Sequence, residues 1–330
     1  DNFVVYHGGP LKPEHRAARK IRVDALVLPP YLLANCPHLT TLLLSRSVRF
    51  VGAGAAQQCR HLRRILFAQQ SQLCAIGQKA FWGCTALTSL WIPASCQVIE
   101  NHAFFECGNL EQVQFEKGSQ LKYIHEAAFL GGHALVSLNL DELWNLTEIG
   151  PRAFGECRRL PSANLSAIHR LEKIGDGAFW GCHSLCAVEF PQSHCRPSSG
   201  RAAFVDCPRL QTIALTPRHG VPGQTLHDCT SLTTVVLASL RNWSWAQQHD
   251  QQPFQGCTAL HTVVFPKQDE TTYTIPFEWL WPRLWEPSSR FWKDAGVTES
   301  QRPSLLFNFL REDEANLSFL CGRRRQELTK

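Results

Sequence analysis

Residues 80–104 read AFWGCTALTSLWIPASCQVIENHAF. The stretch opens on Ala80-Phe81, places Cys84 three positions after the phenylalanine, and Leu87 three after that. An apolar ladder follows, Leu87-x-x-Leu90-x-Ile92, closed by Pro93; then comes Ile99, and four residues later Ala103-Phe104 starts the cycle again. A unit of this length has an apolar face that it cannot bury alone. Copies must therefore stack, and a fixed period of this size marks a solenoid.

The cycle can be followed in both directions. Cysteine recurs at Cys36, Cys59, Cys84, Cys107, Cys157, Cys182, Cys207, Cys229 and Cys257, with Gly132 standing in the place between Cys107 and Cys157. The intervals between these ten positions are 23, 25, 23, 25, 25, 25, 25, 22 and 28 residues. Phenylalanine keeps the same cadence at Phe81, Phe104, Phe129, Phe154, Phe179 and Phe204, with Ala56 in the corresponding earlier place. After each cysteine position the ladder returns, from Leu39/Leu42/Leu44 to Leu260/Val263/Phe265, and only Ala163 is undersized. Apolar residues alternating at the last two ladder positions predict a strand with one buried face. Between ladders, Ile76, Ile99, Ile124, Ile149 and Ile174 each precede an Ala-Phe pair by four residues. That spacing predicts a short helical or 3₁₀ turn aiming the aromatic inward.

Written out, the unit is I-G-x-x-A-F-x-x-C-x-x-L-x-x-L-x-L-P, and Ile149-Gly150-Pro151-Arg152-Ala153-Phe154-Gly155-Glu156-Cys157-Arg158-Arg159-Leu160 carries it almost whole, as does the segment from Ile174 to Leu185. This pattern resembles the BspA-like, or treponema-type, class of leucine-rich repeats over roughly residues 23–266. The resemblance implies an α/β leucine-rich repeat solenoid, a curved arc with one short parallel strand per repeat. It also implies binding of other macromolecules without catalytic residues or a cofactor.

Around the array, three segments are expected. Residues 1–22 read as a loosely ordered lead-in with a solvated basic run, Arg16, Arg19, Lys20 and Arg22. Val23-x-x-Leu26-x-Leu28 reads as a shortened first coil. Residues 267–330 hold Trp279, Trp281, Trp285 and Trp292 and an amphipathic stretch with Leu305, Leu306, Phe309, Leu310, Leu317 and Leu320 on one face, which reads as a C-terminal cap. The units after residue 190 are irregular, and 241–255 insert a glutamine-rich loop.

Composition narrows the function. The net charge is +5, and 33 basic residues spread along the chain do not make the concentrated stripe that a nucleic-acid surface needs. No apolar run approaches the ~18 residues of a membrane helix. The start shows no signal-peptide pattern, and the chain, with no methionine, reads as a fragment or processed product. Fourteen histidines fall into no HExxH or Ser-His-Asp grouping, and no phosphate-binding glycine motif occurs. Cys182-His183-x-x-Cys186 with His194-Cys195 offers ligand types that suit zinc. However, Cys182 belongs to the repeat, so no metal is expected.

The cysteine column is best explained as a small hydrophobe filling one recurring niche. Fourteen cysteines, many unpaired, lean toward an intracellular, reducing compartment. Four sequons at Asn145, Asn164, Asn242 and Asn316 lean toward a secreted or cell-surface one. The outward positions of the strands are mostly small and hydroxylated; Trp91 is the one large aromatic among them. With Gln114, Glu116, Asn139, Asp141 and Glu189 it forms the candidate patch for a protein or peptide partner. The alternative is a cell-surface adhesive protein that binds matrix or carbohydrate.

Overall fold

The structure is a computed structural model that describes residues 3–190, 198–215, 224–237, 254–266 and 272–276. The ladder segments form strands as the alternation predicts: Thr41–Leu44, Arg64–Phe67, Ser89–Ile92 and Gln112–Phe115 lie side by side, parallel and in register. Leu42 and Leu44, Leu90 and Ile92, Val113 and Phe115 point into the core, while the residues between them face solvent. A one-residue slip would turn every apolar side chain outward, so burial locks the register.

Each coil contributes a second short strand that the sequence reading missed. Val27–Leu28, Phe50–Val51, Ala75–Ile76, Val98–Ile99, Tyr123–Ile124, Glu148–Ile149, Lys173–Ile174 and Ser198–Ser199 form a separate parallel sheet of eight strands. The recurring isoleucine therefore sits on a strand. The core lies between the two sheets, with a further buried column at Val48, Leu73, Cys96, Leu121, Leu146 and Leu171. Cys96, off the main cysteine period, occupies a place that leucine fills in the next three coils.

The segments expected to be helical are instead chained tight turns. In one coil, Ala80, Trp82 and Cys84 donate their N–H groups to the carbonyls three residues back, at Gly77, Lys79 and Phe81 (3.1, 3.1 and 3.2 Å). The alternate N–H groups of Lys79, Phe81 and Gly83 donate forward to Asn101, Ala103 and Phe105 of the next coil (3.0, 2.8 and 2.8 Å). A helix would need those donors for bonds within its own segment. Lys79 and Gly83 also have φ of +56° and +69°, as the third residue of a type II turn requires, and positive φ recurs at Ala127 and Gly131 and at Arg152 and Glu156. Helical φ cannot persist through such positions. Among the described residues only Pro13–Ala17 is α-helical and only Leu140–Glu142 is 3₁₀. Stacking is close where the motif has glycine: a Cβ on Gly175 would overlap the backbone of Gly150 and Pro151.

The N-terminal segment is ordered, contrary to the lead-in expected. Val4–Tyr6 pairs in parallel with Lys20–Val23, which in turn pairs with Thr41–Leu44. Tyr6 is buried, its hydroxyl donating to the Gly9 carbonyl at 2.8 Å. The ladder of the first coil is thus Ile21 and Val23, opposite Leu42 and Leu44; Leu28 belongs to the second sheet, opposite Val51. The segment Val23–Leu28 imitates the ladder because two strands of the same coil follow closely there.

The ladder sheet is interrupted once. Seven strands run to Ser137–Leu138, and a second group of six begins at Ser162–Asn164. At the interruption Asn139 turns its amide onto the last full strand: Phe115 N–H donates to Asn139 Oδ1 (2.8 Å), and Asn139 Nδ2 donates to the Phe115 carbonyl (3.1 Å). The side chain replaces the missing strand backbone. At the other end, Thr272–Pro276 pairs antiparallel with Thr262–Pro266 and so runs opposite to the ladder strands. The rest of 267–330, like residues 191–197 and 241–253, lies outside the described residues.

Candidate functional site

The outward face of the ladder sheet carries the candidate patch. Reading across the strands at one level, the register places Val5, Arg22, Leu43 and Leu66 in a row, and Arg64 beside Ser89 brings Trp91 next, followed by Gln114. Leu66 and Trp91 are 41% and 51% exposed, so three successive coils offer apolar surface between an arginine and a glutamine. The in-register parallel pairing sets these side chains one strand spacing apart, about 4.8 Å.

Only part of the expected patch is free to meet a partner. Trp91 and Gln114 are direct neighbours. Asn139 follows, but its amide is committed to Phe115, and Glu116 Oε2 accepts the Ala94 N–H at 2.8 Å. Asp141 is exposed on the 3₁₀ turn after the interruption. Glu189 is exposed on the second group of ladder strands, beside Asn164. Leu43 and Leu66 hold the same outward place on their strands as Trp91, and their adjacency to it is what the register adds.

A second apolar row was not foreseen. On the outer side of the isoleucine sheet, Val27, Phe50, Ala75, Val98 and Tyr123 align, Phe50 and Tyr123 being 45% and 38% exposed. The row ends at Glu148, whose Oε1 meets Lys173 Nζ at 2.8 Å. The residue preceding each isoleucine was the available signal.

The cysteine column has a specific environment. Cys59, Cys84, Cys107, Cys157, Cys182, Cys207, Cys229 and Cys257 each donate a thiol hydrogen to a carbonyl of the preceding coil, at Leu33, Ala56, Phe81, Phe129, Phe154, Phe179, Phe204 and Leu226. None of the twelve described cysteines is disulfide-bonded. Burial pushes the thiols of Cys84, Cys96, Cys157 and Cys207 up to about 12. Behind the column, the rings of Phe81, Phe104, Phe129, Phe154, Phe179 and Phe204 stack with centroids 5.3–5.5 Å apart.

The residues considered for zinc point to separate tasks. Cys182 bonds Phe154, His183 Nε2 lies 3.0 Å from Asp206 Oδ2, and Cys186 Sγ donates to the Ser184 carbonyl. His194 and Cys195 lie outside the described residues. Among the described residues no three His, Cys, Asp or Glu side chains gather as metal ligands.

The BspA type leucine rich repeat region matches this chain in six copies, over residues 27–161 and 147–279. The chain belongs to that family. BspA-type repeat proteins are generally protein-interaction or surface proteins, and their scaffold is typically non-enzymatic. Among solved structures, the T. pallidum leucine rich repeat protein is similar at 25% identity, covering 61% of this chain and 86% of its own, with a TM-score of 0.43. A leucine-rich repeat protein from Eubacterium ventriosum is similar at 16% identity, over 74% of this chain and 72% of its own, with a TM-score of 0.42. A leucine rich cell surface protein from Faecalibacterium prausnitzii is similar at 16% identity, over 74% and 84%, with a TM-score of 0.29. No curated protein matches. Among the described residues no helix of the BspA-type array is long and apolar enough to cross a membrane.

Proposed function

We propose that this chain is a non-enzymatic recognition scaffold that binds a protein or peptide partner on the outer face of the ladder sheet. The observation that carries this reading is the Leu43–Leu66–Trp91 row, held on three adjacent strands, with Leu66 and Trp91 exposed and Leu43 half-buried. A rigid, exposed tryptophan beside aliphatic neighbours is the usual composition of an interface hot spot. Gln114 and Asp141 supply polar rim groups, and Glu189 lies farther along the stack.

The adhesive alternative draws its support from the sequons, and two of them are structurally engaged. Asn145 is only 7% exposed, donates from Nδ2 to the Ser119 carbonyl, and accepts from Arg170. Asn164 Oδ1 accepts the Ser166 hydroxyl at 2.6 Å. Asn242 and Asn316 lie outside the described residues. The free thiols support a reducing, intracellular setting.

The test is affinity capture from the source organism's extract with three baits: the wild type, Trp91→Ala with Leu66→Ser, and Phe50→Ser with Tyr123→Ser on the other sheet. A protein retained by the wild type and the second-sheet variant, and lost tenfold or more by Trp91→Ala/Leu66→Ser, is the expected result. Equal retention by all three baits would sink the reading, and loss only in the Phe50/Tyr123 variant would move the interface to the isoleucine sheet. Melting temperatures should match, because all four side chains are exposed.

A further inference from the structure

Charge is distributed far less evenly than the total suggests. Residues 1–70 contain ten basic and three acidic side chains, a local net charge of +7, while the remainder contains 23 and 25, a net of −2. Folding concentrates the excess further. At the starts of the ladder strands of the first coils lies an open cavity of about 640 Å³, lined by Arg19, Arg63, Arg64, His38 and His61 together with Pro37, Thr40 and Thr41. Arg19 and Arg63 are two coils apart in sequence and meet here because Thr40 bridges them. Its N–H and hydroxyl both reach the Arg19 carbonyl (2.8 and 2.9 Å), and its own carbonyl accepts the Arg63 N–H at 2.9 Å.

No carboxylate lines this cavity. Some arginines elsewhere are engaged: Arg22 lies 3.0 Å from Asp24, Arg158 lies 3.0 Å from Glu156, and Arg170 donates to Asn145. The described structure gives Arg19, Arg63 and Arg64 no ion pair at all, and each is exposed. Three arginines without carboxylate partners line one concavity, their like charges repel, and that repulsion is relieved when an anion enters. Guanidinium forks hold tetrahedral oxyanions through paired N–H donors, and the volume falls within the range of small-ligand sites.

The geometry points to a binding site for a ligand that carries two or more tetrahedral oxyanion groups, phosphate or sulfate esters. Arg19 clamps one end of the ligand, Arg63 and Arg64 clamp the other, and the histidine rings close the rim. The site lies beside Leu43 and Leu66 but does not depend on the partner reading above, because its ligand is small and its residues are different.

Isothermal titration calorimetry on the full chain tests it, with three probes at low ionic strength: inorganic pyrophosphate, a trisulfated heparin disaccharide and triglutamate. Saturable binding of one of the first two, at one ligand per chain, is expected. Tighter pyrophosphate identifies a phosphate ligand and tighter disaccharide a sulfated one. Arg63→Gln with Arg64→Gln should weaken that binding at least tenfold, whereas Arg46→Gln with Arg49→Gln, which removes the same charge from exposed positions outside the cavity, should change it by less than twofold. The proposal is overturned if neither oxyanion probe saturates, if triglutamate binds as tightly as they do, or if both variants weaken binding alike. Circular dichroism of the exposed-residue variants checks that the fold is retained.

Discussion

At the residue scale, the cysteine column shows why a thiol recurs. Its Sγ–H reaches a carbonyl of the preceding coil, a reach that alanine lacks. Gly132 omits it, and a Cβ there would meet the Phe129 carbonyl at 3.2 Å, closer than ordinary van der Waals contact, so this coil has no ready space for the side chain. Burial disfavours the thiolate and raises the folded-state pKa of Cys84, Cys157 and Cys207 from 9.0 to about 12. For a group raised on folding, the stabilisation is complete below its unfolded value and is lost as pH rises through the folded value. The urea midpoint should therefore hold up to pH 9 and fall between pH 9 and 12, by up to about 1.4 kcal/mol per pH unit for each buried thiol. A Cys84→Ala/Cys157→Ala/Cys207→Ala variant should start lower and fall less steeply; an equal slope would assign the loss to other groups. Native alkylation at pH 7.5, read by mass spectrometry, should label Cys186 and Cys74 and spare the column, since Cys186 is exposed and Cys74 partly so.

At the element scale, the ladder strands were legible because alternation of Leu90, Trp91 and Ile92 reports one buried face directly. The isoleucine sheet was not, for a physical reason: its strands are two residues long, too short for alternation to show, and Ile-x-x-x-Ala-Phe fits a helical spacing equally well. What rules the helix out is the direction of the N–H bonds to the next coil, which sequence does not display. The sheet interruption was equally hidden, since it rests on one amide, Asn139, which reads in sequence as an ordinary outward residue. That misreading also placed Asn139 in the partner patch. The phenylalanine column was legible, and its stacking yields a graded expectation. Phe129 has a ring on each side, Phe104 and Phe154, whereas Phe81 has only Phe104 because Ala56 occupies the preceding place. Each stacked pair contributes about 0.5–1.5 kcal/mol beyond burial. Phe129→Leu should therefore cost roughly twice the pairing term lost in Phe81→Leu, measured as the shift in urea midpoint. Equal losses would show that the rings act as filler alone.

At the scale of the whole molecule, a stack of coils is held by nearest-neighbour interfaces, so its ends carry the greatest exposure to mispairing. The N-terminal end is covered by residues that the sequence assigned to a loose lead-in. Val4–Tyr6 occupies the edge of Lys20–Val23, the Asp24 N–H donates to the Tyr6 carbonyl at 2.8 Å, and the His15 ring packs edge-on to Tyr6 at 5.8 Å. Beneath this cover Ile21 and Val23 are fully buried. Deleting residues 1–17 uncovers both side chains and leaves the strand Lys20–Val23 with an unpaired edge. Lys20 on that edge opposes self-pairing by charge repulsion, which salt screens. The truncated chain should thus melt lower than the full chain and associate with rising concentration, more strongly at 0.5 M than at 0.05 M salt, as read by light scattering after size-exclusion chromatography. A truncated chain that stays monomeric in both salts and melts with the full chain would mean that the first strand is an appendage and that the stack ends stably at Lys20–Val23.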